Sequence, residues 1–444
     1  MSDFQHQAIR LTAQQQPLTW LESLRNKATD AWLAQPWPTR KTEHWKYTPM
    51  QGLQKTLLHV WGTAANQILD KALQDELIPV DATRLVFVNG VFDAKHSSRL
   101  PETVVRFSQA DAEQQALIEK YLGNIVEGEH HLFATLNNAW VDDGVLIHVP
   151  RSQRLDKPVY IVNVVTAVAA VSNQRVLIVL DENSQAEIIE HYLSSADVQN
   201  GFANSLTEIH LGDNANLQHY RLNMEEEHAQ HIGAVHVDLQ RNARLRGFAL
   251  ALGSSLMRVD YQLNHRGQGA ELDLQGIYLP RNQQVVDYHT NICHWVPHCT
   301  SNEVFRGIVS DSAQAIFNGR IYIHQDAQKT LAELSNKNML TSNKAEVNTK
   351  PELEIYADDV KCAHGATISQ LNTGARYYLQ SRGLSRAEAD VMLSFGFINE
   401  LLEQIAQPAV HDYLQPRLAK LFGRDNSLNE VNVLAELADD KTFG

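Results

Sequence analysis

Three cysteines in 444 residues, Cys293, Cys299 and Cys362, are too few and too odd in number for a disulfide framework, and read as thiols in a reducing compartment. The most apolar run, Val159 to Val171, is interrupted by Asn163 and Thr166 and falls short of the roughly 20 residues that a spanning helix needs. No membrane span is expected. The opening MSDFQHQAIRLTAQQQ lacks the order of a secretory signal and the Arg-rich bias of a transit peptide, so a cytoplasmic location is expected. There is no Lys/Arg stripe, and the formal charge is −14, which argues against nucleic acid as a partner. Neither the Gly-x-x-x-x-Gly-Lys-Ser/Thr phosphate loop nor a Gly-x-Ser-x-Gly elbow occurs, so neither nucleotide cleavage nor serine catalysis is expected of this chain.

What is present suits a large folded body: 43% of residues are hydrophobic and 20% charged. Leu18, Leu21, Leu24, Ala28 and Trp32 recur at helical spacing, so residues 1–80 read as a helical region. Residues 81–131 read as a link, with a strand pair around Asn89-Gly90 and a helix from about Gln109 to Leu122. From 132 to 371 short apolar runs alternate with polar turns. A turn phrase returns at Asn183, Asn214, Asn242 and near Gly267, with looser echoes at Ser310 and His324. Strands between turns at a period near 30 predict the coils of a parallel β-helix, a β-sandwich having no need to repeat one turn phrase. Residues 372–444 read as a C-terminal helical domain: Gly383 ends one helix, Ser385 and Glu388 spell a capping box for the next, and Pro408 is expected to stop it. Helical flanks would cap the open ends of such a solenoid.

Chemical content is densest around Cys362 and His364. Two apart on a strand, they project from one face, and sulfur with imidazole is a donor set that iron–sulfur chemistry uses. A cluster needs about four protein ligands, so this pair calls for a second chain or segment. The plainer reading is a structural thiol beside a satisfied histidine. Cys293, His298 and Cys299 form a second metal candidate of unusual spacing, with packing and turn roles as the alternative. His289 and His324 read as partly exposed rung positions, Asp358 and Asp359 as a solvated corner, and Glu225 to Glu227 as a solvated loop.

The phrase Glu354-Ile-Tyr-Ala-Asp-Asp-Val-Lys-Cys-Ala-His-Gly-Ala-Thr367 closely resembles a signature near the end of the β-helix in the SufD family. Pro38-Thr-Arg-Lys-Thr-Glu-His-Trp-Lys-Tyr-Thr48, Leu85-Val-Phe-Val-Asn-Gly90 and Tyr378-Leu-Gln-Ser-Arg-Gly-Leu384 resemble its other motifs. Ser369, and Ala375 with Arg376, depart from the pattern without touching Cys362 or His364. The resemblance implies a right-handed parallel β-helix between helical flanks, in a non-catalytic scaffold that pairs with the paralogous SufB through the β-helices and receives the SufC ATPase on its C-terminal helices. A transient iron–sulfur cluster would form between the paralogues, with His364 and Cys362 as ligand candidates, while Tyr378, Arg382 and Gly383 would face the ATPase. It leaves room for a reduced flavin on the complex and for a homodimer of the isolated chain. Two rivals stand beside it: a structural stabiliser of SufB that lends no ligand, and a β-helical carbohydrate enzyme, disfavoured because no paired carboxylates are evident.

Overall fold

The structure is a computed structural model and describes residues 3–55, 60–61, 69–125, 131–195 and 201–422. The expected C-terminal helical domain is therefore described only as far as residue 422. Between Val145 and Gln370 the chain winds through eight coils, each giving one strand to each of two ten-stranded sheets. Within the winding every strand pairs in parallel with its successor in the same sheet, as Glu271–Tyr278 does with Thr300–Val309.

The winding is held by side chains that stack from coil to coil. Ile147, Ile178, Ile209, Val237, Leu263, Ile292, Ile321 and Leu353 occupy successive positions of one inward column. Each aliphatic side chain buried this way is worth about 1.5–3 kcal/mol, so every coil is stabilised chiefly by the next. The turns stack as well. Asn183, Asn214, Asn242, Gly269, His298 and Lys329 all adopt left-handed backbone, with φ of 59, 57, 53, 75, 62 and 62°, and share one corner of the coil. Asn214 donates to Asn183 at 3.0 Å and Asn242 to Asn214 at 3.2 Å. The echo at Ser310 is a looser one because it belongs to the opposite corner, where Asp311 stacks against Asn282.

Most strands are buried on both faces, because helices lie along the sides of the solenoid. Phe4, Trp32, Trp45, Phe133 and Trp140 from the N-terminal region cover Phe202, Ile232, Leu256 and Ile316 on one sheet. Ile398, Leu401, Val410, Leu414 and Leu418 cover Tyr220, Phe248, Ile277 and Ile308 on the other. The flanks thus dress the faces and do not cap both ends, as the sequence had suggested. The early end is closed by the hairpin of Thr83–Val88 and Val91–Phe92, whose first strand also pairs in parallel with Val159–Val165. The segment expected to be a link is therefore the start of a sheet, while the expected core boundary at 132 falls on the helix Leu132–Trp140. The capping box at Ser385 and Glu388 opens Arg386–Leu402 as expected. Pro408 does not stop that helix but opens the next, Pro408–Phe422, where a missing N–H costs nothing.

The interior is not wholly apolar. Glu190, fully buried, accepts from His219 at 2.7 Å, Thr207 at 2.8 Å and Tyr192 at 2.5 Å, and Arg221 stands 3.5 Å away. Burial pushes the Glu190 carboxyl up, but the His219 hydrogen bond and the Arg221 charge outweigh it and hold it down at about 2. Glu225, expected in a solvated loop, is buried against His231.

Replacing Arg221 with alanine leaves this carboxylate without its cation, and is expected to destabilise the chain by about 3–5 kcal/mol in chemical denaturation. A pH effect follows from four buried histidines. Burial holds His191 down at about 3 and His265 at about 4, and pushes His236 and His294 well below 6.5. The unfolded chain protonates these rings near 6.5 and the folded chain does not, so stability is present above that pH and lost as pH falls from 6.5 toward 4. Asp142, raised to about 6, Glu303, raised to about 8, and Glu187, also pushed up by burial, act in the opposite sense, but His210, held down at about 4, joins the four rings and makes five groups against three. Urea midpoints should fall steadily from pH 6.5 to 4.5, each group contributing up to about 1.4 kcal/mol per pH unit. A flat profile would contradict the neutral, buried state of the rings.

Candidate functional site at the open end

The last coil consists of Glu346–Ile355 in one sheet and Lys361–Gln370 in the other. Each is an edge strand, paired on one side only. Cys362 and His364 lie in register with Ala332 and Leu334, both buried in the solenoid core. Their side chains therefore share the inward face, as their spacing predicts. With no further coil above them, Cys362 is half-buried against the core and His364 is exposed. Around them the same rung presents Val347 and Leu353, packed on the core, and Ile355 and Ile368, 40% and 48% exposed. Thr349 donates to Asn336 at 2.8 Å and closes a polar group beneath the rim.

Burial pushes the Cys362 thiol up, partly offset by a backbone hydrogen bond from Ala332, so metal binding here would have to supply the driving force for losing the proton. Among the described residues no three His, Cys, Asp or Glu side chains converge as a metal-binding set. The open end thus offers two donors of this chain in an apolar rim, fewer than a cluster requires.

The second metal candidate is not brought together. Cys293 lies on the outer face of its strand, receiving a hydrogen bond from Gln262 at 3.4 Å. Cys299 points inward into the core, and burial pushes both thiols up. His298 holds the left-handed turn position that asparagine fills in earlier coils. Asp359, at the last turn, pairs with Lys329. His289 pairs with Asp287 at 3.0 Å.

Lys361–Gln370 runs directly into the helix Thr373–Ser381, which has no buried residue. Tyr377 and Tyr378 are 74% and 58% exposed, the Arg382 guanidinium stands 5.3 Å from the Tyr378 ring centroid, and Gly383 ends the helix at φ 99°. Tyr378, Arg382 and Gly383 therefore form one exposed group beside the open end.

Known proteins match along most of the chain. The SufBD core domain of the SUF system for iron–sulfur cluster assembly matches residues 161–397 and the SufBD N-terminal region matches 3–161. The chain belongs to the SufBD family of iron–sulfur cluster assembly proteins. An iron–sulfur cluster assembly SufBD family protein of Synechocystis is 32% identical, over 83% of this chain and 84% of that protein. The assembly protein SufD of Escherichia coli is 31% identical over 86% of this chain and 89% of its own, and SufD of Bacillus subtilis 27% over 67% and 68%.

Within this SufBD chain the N-terminal phrase has a structural task. Arg258 lies 3.8 Å from the Trp45 ring centroid and donates to the His44 carbonyl at 2.8 Å, while Thr48 donates to Asp287 at 2.6 Å and Lys350 pairs with Glu43 at 2.8 Å. The phrase clamps the N-terminal region onto the outer face of the solenoid. Of the three thiols in the free SufBD chain, Cys362 should be alkylated first, since Cys293 and Cys299 are buried. Peptide mass mapping after brief labelling checks this, and equal labelling of all three would mean that the coils open.

Proposed function

We propose that the chain is the SufD-type scaffold subunit of a SufBCD complex, that its open solenoid end pairs with the SufB subunit, and that a nascent iron–sulfur cluster is built at that junction. The observation that carries this reading is the last coil: two ten-residue edge strands left exposed, with a thiol and an imidazole facing inward between them. Exposed edges of that length invite pairing, and soluble proteins cover or blunt them unless a partner does so. The donor shortfall agrees, because a cluster finished by a sister subunit needs only part of its ligand set from each side. The exposed helix Thr373–Ser381 with Tyr378, Arg382 and Gly383 is the surface we assign to the SufC ATPase, which would supply the nucleotide chemistry for which this chain has no motif. In this reading the chain is not itself an enzyme, and the complex works in the cytoplasm.

The test is cluster formation by the complex assembled from all three subunits, with His364→Ala and Cys362→Ser introduced singly. Neither side chain is buried enough to govern folding, so complexes should form in normal yield. For whichever residue donates, iron and acid-labile sulfide content should fall at least severalfold. Unchanged content in both variants would leave the chain as a structural stabiliser of its partner. In the wild-type complex, Cys362 should also become resistant to the alkylation it undergoes in the free chain.

A further inference from the structure

Below the open end lies a carboxyl group that the scaffold reading does not use. Glu303 is fully buried, and neither of its oxygens has an aligned hydrogen-bond partner. In its column it lies between Leu274 and Leu334, and Leu334 lies directly under His364. Two inter-strand steps of roughly 4.8 Å put the carboxyl about 10 Å beneath the imidazole, with Leu334 between them. From the facing sheet it meets the Thr290 hydroxyl and the field of Tyr261. Farther along the interior are Tyr278 and Tyr288, kept neutral by burial, and then Arg221, Glu190 and Glu225. Arg221 is already engaged with Glu190, Tyr192 and Ser205, so among the described residues no free cation is at hand to balance an ionised Glu303.

A buried carboxyl with no charge beside it and only the Thr290 hydroxyl nearby is costly to ionise. Burial accordingly pushes Glu303 up to about 8, leaving it neutral at pH 7. A dication about 10 Å away, at an effective interior dielectric constant of about 20, would favour the ionised form by on the order of 100-fold. Resting on the scaffold reading, we propose that Glu303 is the internal counter-charge for iron held at the open end, and gives up its proton to water as the iron arrives. The carboxyl O–H bond breaks with its electron pair left on oxygen, one proton goes to solvent, and no electron is transferred. Glu303 is a positioning residue here, acting through the field and not by coordination.

The experiment uses the complex with its SufB and SufC partners, anaerobic ferrous iron as probe, and a weakly buffered solution in which released protons are counted. Wild-type complex should release close to one more proton per iron than Glu303→Gln near pH 7, and should bind iron at least about 10-fold more tightly than the variant above pH 8. Infrared difference spectra give a readout that needs no variant: the carbonyl band of a buried neutral carboxyl should disappear when iron is added. Equal proton release and affinity in both proteins, or a band that persists with iron bound, would overturn the proposal. His364→Ala separates the two ideas. If iron affinity depends on His364, or on Cys362 in the parallel Cys362→Ser complex, and not on Glu303, only the counter-charge fails; if it depends on none of the three, the scaffold reading fails and takes the counter-charge with it.

Discussion

Each coil of this solenoid is stable because the next coil covers its inward side chains, and that dependence organises the rest of the molecule. A column such as Ile147 to Leu353 has no natural end: whatever coil comes last exposes a rung and two rows of unpaired backbone groups. At the early end the chain answers with its own hairpin and with Phe87, Phe92 and Val104 packed onto the core. At the late end the rung remains open, and Pro351 on the edge strand, a residue that edges tolerate, does little to blunt it. An unfinished core and the Cys362–His364 pair occupy the same rung. A single partner covering that rung would satisfy the backbone and bury Ile355 and Ile368.

The buried charges make sense in the same frame. A smooth apolar column can slip by one coil or one residue at modest cost, because one aliphatic side chain resembles another. Glu190 with its His219, Thr207, Tyr192 and Arg221 partners cannot slip, since any other register leaves a charge unpaired in the interior. Glycines fix the register further: a side chain at Gly233 would lie 2.7 Å from the Arg221 guanidinium, and one at Gly276 would lie 2.1 Å from the Phe305 ring. The network thus contributes specificity to the winding, and the rung carrying Cys362 and His364 inherits its position from that register.

Much of this was legible in the residues. The Asn183, Asn214 and Asn242 phrase marked the coils because a left-handed corner favours asparagine or glycine, and stacking repeats that preference. The two-residue spacing of Cys362 and His364 fixed their common face without any knowledge of the fold. Other features were hidden for physical reasons. His298 fills the same corner as those asparagines, but histidine is rare in left-handed backbone, so between Cys293 and Cys299 it looked like a ligand. Glu225 sits in an acidic run that reads as solvated, and only the three-dimensional return of His231 buries it. Apolar faces of helices show that they pack, not on what. That the flanks lie along the sheets and leave one end open could be learned only from the assembled coils.

The open end and the exposed helix are also mechanically joined. Only Leu371 and Asn372 separate the strand bearing Cys362 and His364 from the helix bearing Tyr378. The helices that follow are fastened to the solenoid and to the N-terminal region: Arg306 donates to the Phe397 carbonyl at 2.7 Å, Gln407 to Glu187 at 2.8 Å, and Tyr413 to the Glu76 carbonyl at 2.8 Å. A force applied at Tyr377 and Tyr378 therefore meets a firm anchor on one side and, on the other, a strand held by one neighbour alone. The strand is the weaker of the two attachments, because half of its backbone groups and most of its side chains have nothing to lose. Motion imposed on that helix is accordingly delivered to the rung where the thiol and the imidazole face inward.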